Sequence, residues 1–281
     1  MHEIDLGGHS GCKIVLCEPD DNTIFVRKIS GDDVYNDRLM AQAKKQKLYK
    51  NNKLKTPDII SEGYTEEGLY YFDMEYIQGI TLAEYMKTIE IGKVRGLVQS
   101  IVNSIVASDD CNGTCDESIF IKKIDSLIQQ LAAQNNKIVN EALQMLKNHS
   151  WHCFKTSICH GDLTLENIIV KDNQLYFIDF LDSFYNCWIM DISTLLQDVQ
   201  TLWSYRMDDE ISINTVLRLI VFRDILMDEM KVKMGEKNIE IYYALLLKLI
   251  RIYPYTNDKE TLHFLDEKTS SIINIIKEAY L

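Results

Sequence analysis

Short apolar runs alternate with polar turns over residues 1–78, which is typical of β-strands. Two runs rich in Ile, Val and Phe flank the polar turn PDDN and predict a hairpin. Residues 33–50 contain neither Gly nor Pro and place a few apolar positions among many polar ones, so they predict an exposed helix. Strands are expected around that helix, in chain order, at 3–6, 13–17, 23–29, 58–61 and 69–77.

After Gly79 the pattern changes to a helical period. Thr81 and Glu84 have the spacing of a capping box and predict a helix start. An apolar stripe at i, i+4, i+7, i+8 and i+11 predicts a helix against the core, through Phe120, Ile124, Leu127, Ile128 and Leu131. Residues 167–180 instead predict a hairpin. The sequence therefore predicts an α+β protein with a small β-rich lobe, 1–78, and a larger, mainly helical lobe, 79–281.

Composition and charge narrow the class of protein. The chain has 281 residues, of which 46% are hydrophobic and 26% charged, with 3 prolines, as in a globular protein long enough for two compact units. Its net charge of −12 repels nucleic acid and anionic membrane surfaces. Apolar runs stay below the roughly 18 residues of a membrane span. We therefore expect no nucleic-acid partner and no membrane insertion.

The cysteines bear on the cellular compartment. Seven cysteines, an odd number spread along the chain, are typical of reduced thiols and favour a cytoplasmic location. The N-terminal segment has neither the basic start nor the apolar core of a signal peptide. Cys111 and Cys115 are spaced C-x3-C, but a second Cys/His pair of metal spacing does not accompany them. Two free thiols near a loop are therefore expected here rather than a zinc site.

The candidate chemistry lies in two stretches, CHGDLTLENIIV at 159–170 and YFIDFLD at 176–182. Asp162 and Asn167 precede one predicted strand, and Asp179 lies at the end of the next. Because a hairpin folds these strands together, the three side chains are expected to converge. Two carboxylates and an amide oxygen suit Mg²⁺ that also binds phosphate oxygens. A carboxylate held off the metal can accept a proton from an attacking hydroxyl.

The motifs HGDLTLEN and IDF, at this separation, resemble the signature of the aminoglycoside phosphotransferase and choline kinase family, distant relatives of the protein kinases. The resemblance implies a two-lobed protein-kinase-like fold with ATP, or GTP, in the cleft. It implies Asp162 as catalytic base, and Asn167 and Asp179 as Mg²⁺ ligands. His160 would organise the loop.

The first strands would supply the nucleotide half of the site. The segment GGHSG lies between the first two predicted strands, where a glycine-rich turn lets backbone amides approach phosphates, so Gly8, Ser10 and Gly11 are candidate nucleotide-binding residues. Lys28 ends the third strand, in FVRKIS, and shares a face with Val26. This is the arrangement of the kinase lysine that pairs with the α- and β-phosphates, which makes Lys28 both a catalytic and a nucleotide-binding candidate.

The helix after Lys28 departs from the family pattern, in which it supplies a Glu partner for the lysine. Residues 33–50 contain no Glu, and Gln42 and Gln46 lie nearest to the expected position. A glutamine can hydrogen-bond Lys28 but carries no full charge. This departure leaves open a catalytically weak or silent nucleotide-binding module.

The resemblance places the interlobe hinge at MEYIQG, residues 74–79. The main-chain carbonyl of Glu75 and the amide of Ile77 would then hydrogen-bond the adenine edge. Ile178, with Val26 and Ile169, is a candidate for sandwiching the base.

The sequence thus predicts an ATP- and Mg²⁺-dependent phosphotransferase that moves the γ-phosphoryl group to a hydroxyl of a small molecule. The acceptor classes are a sugar or polyol, an amino alcohol such as choline, and an aminoglycoside. A protein kinase is disfavoured because only eleven residues separate Asp179 from Asp191, which is expected to begin the next helix.

Two features bear on the acceptor. Acidic residues 208–210 lie close in sequence to Trp203 and Tyr205. This combination suits the binding of a cationic amine or of a sugar. The acidic residues are also consistent with the solvated start of a helix. The segments GGHSGCKI and CHGDLTLENII are similar to bacterial phosphotransferases associated with surface-polysaccharide assembly. That similarity favours a sugar or polyol.

Overall fold

The computed structural model describes residues 2–7, 11–19, 23–49, 55–106 and 113–279. The chain forms two compact units, the first made of Met1–Tyr85 with His160–Ser183 and the second of Met86–Cys159 with Phe184–Leu281. The first unit holds the strands and the second is helical, so the predicted α+β class is confirmed. The predicted lobe boundary between residues 78 and 79 stays a prediction.

The described part of the first unit contains a five-stranded antiparallel sheet in the order β1-β2-β3-β5-β4. Its strands are β1 (His2–Asp5), β2 (Cys12–Glu18), β3 (Phe25–Ser30), β4 (Ile59–Tyr64) and β5 (Tyr70–Glu75). Helix α1 (Asn36–Leu48) packs on this sheet through Leu39 and Ala43, which join Val26, Phe72 and Met74 in one apolar core. The order of three strands, one helix and two strands is as predicted.

The hairpin predicted at residues 167–180 is present in the same unit. Strands β7 (Ile168–Lys171) and β8 (Gln174–Phe177) pair with β6 (Ile80–Thr81) in an antiparallel sheet. Asp172 and Asn173 form the turn with φ of 50° and 60°, as two-residue hairpin turns require. The main chain of Lys55 pairs with β8 through its amide to Leu175 O, at 3.0 Å, and through its carbonyl oxygen, which accepts from the amide of Phe177 at 2.8 Å. This bonding attaches the segment before β4 to the hairpin.

The predicted capping box begins a short helix, α2 (Leu82–Met86), since Thr81 Oγ1 accepts from the amide of Glu84 at 3.1 Å. The second unit contains α3 (Ile91–Val106), α4 (Glu117–Leu131), α5 (Lys137–Asn148), α6 (Trp188–Thr201), α7 (Ile213–Met234), α8 (Glu240–Ile250) and α9 (Lys259–Glu278). The predicted stripe lies on α4, where Ile128 is half-buried and the other four members are buried. Within the described ranges no helix is long and apolar enough to cross a membrane.

Most element boundaries differ from the prediction by a few residues, and for two helices a side-chain contact accounts for the difference. Helix α1 begins at Asn36 rather than at residue 33, because Asp32 Oδ1 accepts from the amide of Tyr35 at 2.8 Å and closes a turn first. Strand β4 extends to Tyr64 instead of ending at residue 61. Asp191 was expected to begin a helix, but α6 begins at Trp188, whose amide donates to Ser157 Oγ at 2.7 Å.

Candidate active site

Lys28 lies on the buried face of β3, between Val26 and Ser30, and only 3% of it is exposed. Its Nζ forms an ion pair and hydrogen bond with the carboxylate of Asp179, whose side chain is 29% exposed. A lysine this deeply buried requires a partner of opposite charge. In this structure the carboxylate of Asp179 is that partner.

Asp179 has a left-handed backbone, with φ of 60°, two residues after β8. A non-glycine residue in this region costs about 1–3 kcal/mol and persists only where the surroundings enforce it. Two bonds on either side of Asp179 do so. The amide of Leu181 donates to His160 O at 3.2 Å, and Nε2 of His160 lies 2.7 Å from Ile178 O. The loop before Asp162 thus supports the turn that carries Asp179.

His160 has the loop-organising position that the resemblance implied. Its side chain is fully buried, and burial lowers its pKa from 6.5 to about 3, so the ring is neutral. A neutral ring that faces the carbonyl of Ile178 donates from Nε2, which leaves Nδ1 to accept from the amide of Asp162 at 3.3 Å. One side chain therefore fixes the backbone on both sides of the site.

Asp162 is half-buried, and its backbone is held at more than one point. Its carbonyl oxygen accepts from the amide of Thr164 at 2.9 Å and from Nδ2 of Asn167 at 2.8 Å. Since the NH₂ group of Asn167 is used in this way, its Oδ1 is the atom left to meet a cation. Asn167 itself lies immediately before β7, and its main-chain oxygen accepts from the amide of Ile178 at 3.0 Å.

A cavity of about 310 Å³ opens beside these residues, entirely within the first unit. Lys28, Asn167 and Asp179 line one part of it, and its walls are otherwise mostly apolar. The remaining lining residues are Leu6, Gly7, Ile14, Val26, Pro57, Met74, Glu75, Tyr76, Ile77, Gly79, Ile169 and Ile178. The sequence-predicted residues Glu75, Ile77 and Ile178 are thus brought to the same cavity as Lys28, and so are Val26 and Ile169.

The glycine turn is described only in part. Gly8 and Ser10 lie outside the described residues, so their roles stay predictions. Gly7 lines the cavity and has φ of 68°. Gly11 packs against the ring of Tyr35, since a Cβ added to Gly11 would lie 3.0 Å from a carbon of that ring. The described contacts thus give Gly11 a packing role. Sequence reasoning missed Leu6, Ile14 and Pro57, whose positions carried no motif.

The two glutamines of α1 do not take the place of the missing Glu. Gln46 Nε2 donates to Pro57 O at 2.8 Å and lies 3.7 Å from Met74 Sδ, so it supports the cavity wall. Gln42 Nε2 donates to the hydroxyl of Tyr35 at 3.1 Å, and its buried Oε1 has no hydrogen-bond partner. Lys28 is neutralised by Asp179 instead.

The donor set fits a magnesium ion that is shared with a nucleotide. Asn167 Oδ1 and the Asp179 carboxylate are hard oxygen donors on the wall of one cavity. The described residues contain no cluster of three or more His, Cys, Asp or Glu side chains able to hold a metal alone. Magnesium in nucleotide sites is typically held by one or two protein ligands, with phosphates and water completing its shell. Of the two thiols considered for zinc, Cys111 lies outside the described residues, and Cys115 Sγ donates to Trp151 O at 3.0 Å.

The acidic and aromatic segment after α6 already contains its own cations. Lys87 Nζ lies 3.2 Å from Asp208 Oδ2 and 5.7 Å from the ring centre of Tyr205, which is buried. The guanidinium of Arg206 lies 4.2 Å from the ring centre of Trp203. Asp208, Tyr205 and Trp203 therefore each already have a cationic side chain of this chain as a partner.

Comparison with known proteins shows which family a part of this chain is similar to. The model of the phosphotransferase enzyme family matches residues 116–216, a segment that includes Asp162, Asn167 and Asp179. The resemblance seen in the sequence is confirmed. With it, the predicted class of enzyme is confirmed as a small-molecule phosphotransferase. A search of curated protein sequences finds no match.

Solved structures agree in fold over nearly the whole chain. A fructosamine-3-kinase homologue from Haemophilus somnus 129PT is 16% identical, with 97% of this chain and 91% of that chain covered and a TM-score of 0.63. A thermostable mutant of the aminoglycoside phosphotransferase APH(4)-Ia, with AMP-PNP and hygromycin B, is 12% identical, with 97% and 93% covered and a TM-score of 0.60. An amicoumacin kinase with AMP-PNP, Ca²⁺ and its antibiotic is 14% identical, with 96% and 87% covered and a TM-score of 0.58. Identities this low show the fold alone.

Proposed function

We propose that this protein transfers the γ-phosphoryl group of ATP to a hydroxyl of a small molecule, with Mg²⁺ as the metal. The observation that carries the proposal is the cavity in which Lys28, Asn167 and Asp179 meet beneath apolar walls. A cation and two oxygen donors suit a metal-bound triphosphate, and apolar walls suit a purine ring. The neighbouring structures bound to AMP-PNP or ADP support a nucleotide here.

In the reaction the acceptor oxygen attacks the γ-phosphorus, and the bond between that phosphorus and the bridging β-phosphate oxygen breaks. The products are ADP and a phosphate monoester. Asp162 accepts the hydroxyl proton, and its backbone contacts hold it in place for this role. Lys28 stabilises negative charge on the phosphates. Bound magnesium supplies charge neutralisation of the phosphate oxygens, and Asn167 and Asp179 would hold it.

Two substitutions separate the proposed roles. Asp162→Asn is expected to lower kcat by about 10²–10⁴-fold, the usual contribution of a general base, with little effect on Mg·AMP-PNP binding. Asp179→Asn is expected to weaken Mg·AMP-PNP binding about 10- to 100-fold, which corresponds to the roughly 1.5–3 kcal/mol of a charged contact. Product formation is followed by ADP release with a panel of hydroxyl acceptors, and binding by calorimetry.

Asp172→Asn is the matched control, since Asp172 is an exposed carboxylate in the turn of the same hairpin. Asparagine tolerates the left-handed backbone at this position. The control should retain the wild-type rate and affinity. An Asp162→Asn enzyme with an undiminished rate would contradict the assignment of the base.

For the acceptor, we infer a sugar or polyol rather than a cationic amine. The contacts of Lys87 with Asp208 and Tyr205, and of Arg206 with Trp203, support this choice, because Asp208 is already paired with a cation and each ring already faces one. A screen of sugars, polyols, amino alcohols and aminoglycosides with Mg·ATP tests it. Turnover confined to aminoglycosides or choline would contradict it.

A silent nucleotide-binding module is the alternative that the missing Glu left open. Lys28 has Asp179 as its charged partner, so the absence of Glu from α1 does not leave the lysine unpaired. This contact favours an active enzyme. A protein that binds Mg·AMP-PNP but phosphorylates no acceptor in the panel would instead support the silent module.

A further inference from the structure

Helix α1 directs one of its lysines toward the loops that carry Asp162 and Asp179. Lys45 lies in the last turn of α1, is half-buried, and donates from Nζ to Leu181 O at 2.8 Å. The same Nζ stands 3.0 Å from the position that a Cβ on Gly161 would occupy. Lys45 therefore lies beside both the turn after Asp179 and the residue before Asp162.

The peptide groups of Leu181 are bonded on both sides. Its amide donates to His160 O, and its carbonyl oxygen accepts from Lys45 Nζ. A hydrogen bond from an ammonium group is stronger than one between neutral groups. Because Asp179 has φ of 60°, the turn depends on such contacts to keep a conformation that it would not adopt alone.

The positive charge of Lys45 also affects the pKa of His160. Burial is the main cause of the lowered pKa of His160, and Lys45 and Lys28 contribute repulsion that lowers it further. By contrast the preceding residue, Lys44, is exposed and lies near Tyr64 and Glu62. Two adjacent lysines of one helix thus differ in burial and in surroundings.

We propose that Lys45 is a positioning residue for phosphoryl transfer, which holds the turn of residues 179–181 so that Asp179 is presented to the metal and to Lys28. The helix is then tied to the metal-binding turn by a cation and a main-chain carbonyl, although no α1 carboxylate pairs with Lys28. This inference rests on the proposed function and adds a specific link between α1 and the metal site.

The test compares Lys45→Met, which removes the donor at nearly constant length, with Lys45→Arg and with the matched control Lys44→Met. In Lys45→Met, amide hydrogen exchange should accelerate in segments 160–163 and 178–182 while the core strands β3 and β5 stay protected. The Mg²⁺ concentration needed for half-maximal AMP-PNP binding should rise about 10- to 100-fold, as when a supporting contact of a metal ligand is lost. Lys45→Arg, which retains a donor, should fall between wild type and Lys45→Met.

In turnover, Lys45→Met should lower kcat at limiting Mg²⁺ more than at saturating Mg²⁺, and Lys44→Met should match wild type throughout. Wild-type exchange and wild-type Mg²⁺ dependence in Lys45→Met would overturn the proposal. So would faster exchange spread over the whole sheet with unchanged Mg²⁺ dependence, because that result indicates a purely structural lysine.

The exchange and binding measurements need no acceptor, so they separate this inference from the proposed function. A wild-type protein that phosphorylates nothing, combined with the predicted Lys45→Met changes, would refute the enzyme activity but retain the role of Lys45 in holding the turn of residues 179–181 for metal binding. Normal turnover by wild type and Lys45→Met alike would refute the positioning role and retain the enzyme.

Discussion

Replacement of Gly161 by alanine tests whether the packing of the two loops sets the catalytic geometry. Gly161 has φ of 98°, which L-residues rarely adopt, and lies between His160 and Asp162. An added Cβ would overlap the carbonyl oxygen of Leu181 and stand 3.0 Å from Lys45 Nζ. The first obstacle is backbone, so one of the two loops must move by roughly 1 Å to restore an ordinary contact of 3.4 Å.

The magnitude follows from the contacts that this movement disturbs. The strained backbone costs about 1–3 kcal/mol, and weakening the bond from the Leu181 amide to His160 O adds about 0.5–1.5 kcal/mol. We expect a loss of about 1.5–4.5 kcal/mol in the free energy of unfolding. Because Asp162 follows directly, a displacement of about 1 Å is expected to reduce kcat by about 10²-fold.

Urea denaturation measures the stability, and ADP release at saturating Mg·ATP and acceptor measures kcat. The control is Gly96→Ala on the exposed face of α3, where an added Cβ meets no atom within 4 Å. That variant should be neutral or up to about 1 kcal/mol more stable, because alanine is the better helix former. A Gly161→Ala protein with wild-type kcat would refute the argument that this close approach sets the position of Asp162.

Three further predictions concern the same unit. Asp179→Asn should destabilise the nucleotide-free protein more than Lys28→Met does. Asp179→Asn leaves a lysine that is 3% exposed without its carboxylate partner, whereas Lys28→Met leaves a carboxylate with 29% of its side chain exposed to water. Urea denaturation without nucleotide measures the two losses of stability, and a larger loss in Lys28→Met would contradict the prediction. The pKa of His160 is about 6.5 in the unfolded chain but about 3 in the folded protein, so the free energy of unfolding should fall by about 2 kcal/mol from pH 6.5 to pH 5 through this group. His160→Gln should lose that part of the pH dependence. A stability that depends on pH equally in both proteins would contradict the buried neutral ring. Gly79→Ala places a Cβ 2.5 Å from Val170 O at the cavity wall and should weaken AMP-PNP binding in calorimetry, and an unaltered Kd would show that this wall does not contact the nucleotide.

Local sequence signals were sufficient for most elements of the fold. The alternation of apolar and polar residues located the strands of the first unit, and the stripe beginning at Phe120 located α4. Two boundaries were predicted wrongly because a side chain outside the element decides where the helix begins. Asp32 delays the start of α1 through a local turn, and Ser157, distant in sequence, bonds the amide that begins α6. The periodicity of a segment carries no information about such partners.

Some features of the candidate site could be predicted from the sequence and others could not. Asn167 and Asp179 were predictable because a motif fixes their separation and a hairpin folds their strands together. Lys28 was predictable because it ends a strand on a face that it shares with Val26. The contacts of α1 were not, since they depend on which face of the helix meets which loop. Gln46 bonds to Pro57 O and Lys45 to Leu181 O, and both acceptors are main-chain carbonyls that have no sequence signature. The absence of Glu from α1 therefore indicated that the contacts between α1 and the site differ from the family pattern, but it could not indicate which contacts replace them.

The net charge of the chain differs from the local charge at the candidate site. A protein of net charge −12 should repel a triphosphate on average. In the candidate site two carboxylates, Asp162 and Asp179, are set against two lysines, Lys28 and Lys45, so the local formal charge is close to zero. Binding a polyanion there still requires additional positive charge, which a divalent cation held by Asn167 and Asp179 would supply. Nucleotide affinity should therefore depend steeply on Mg²⁺, and AMP-PNP binding that is equally tight in EDTA would contradict this account of the site.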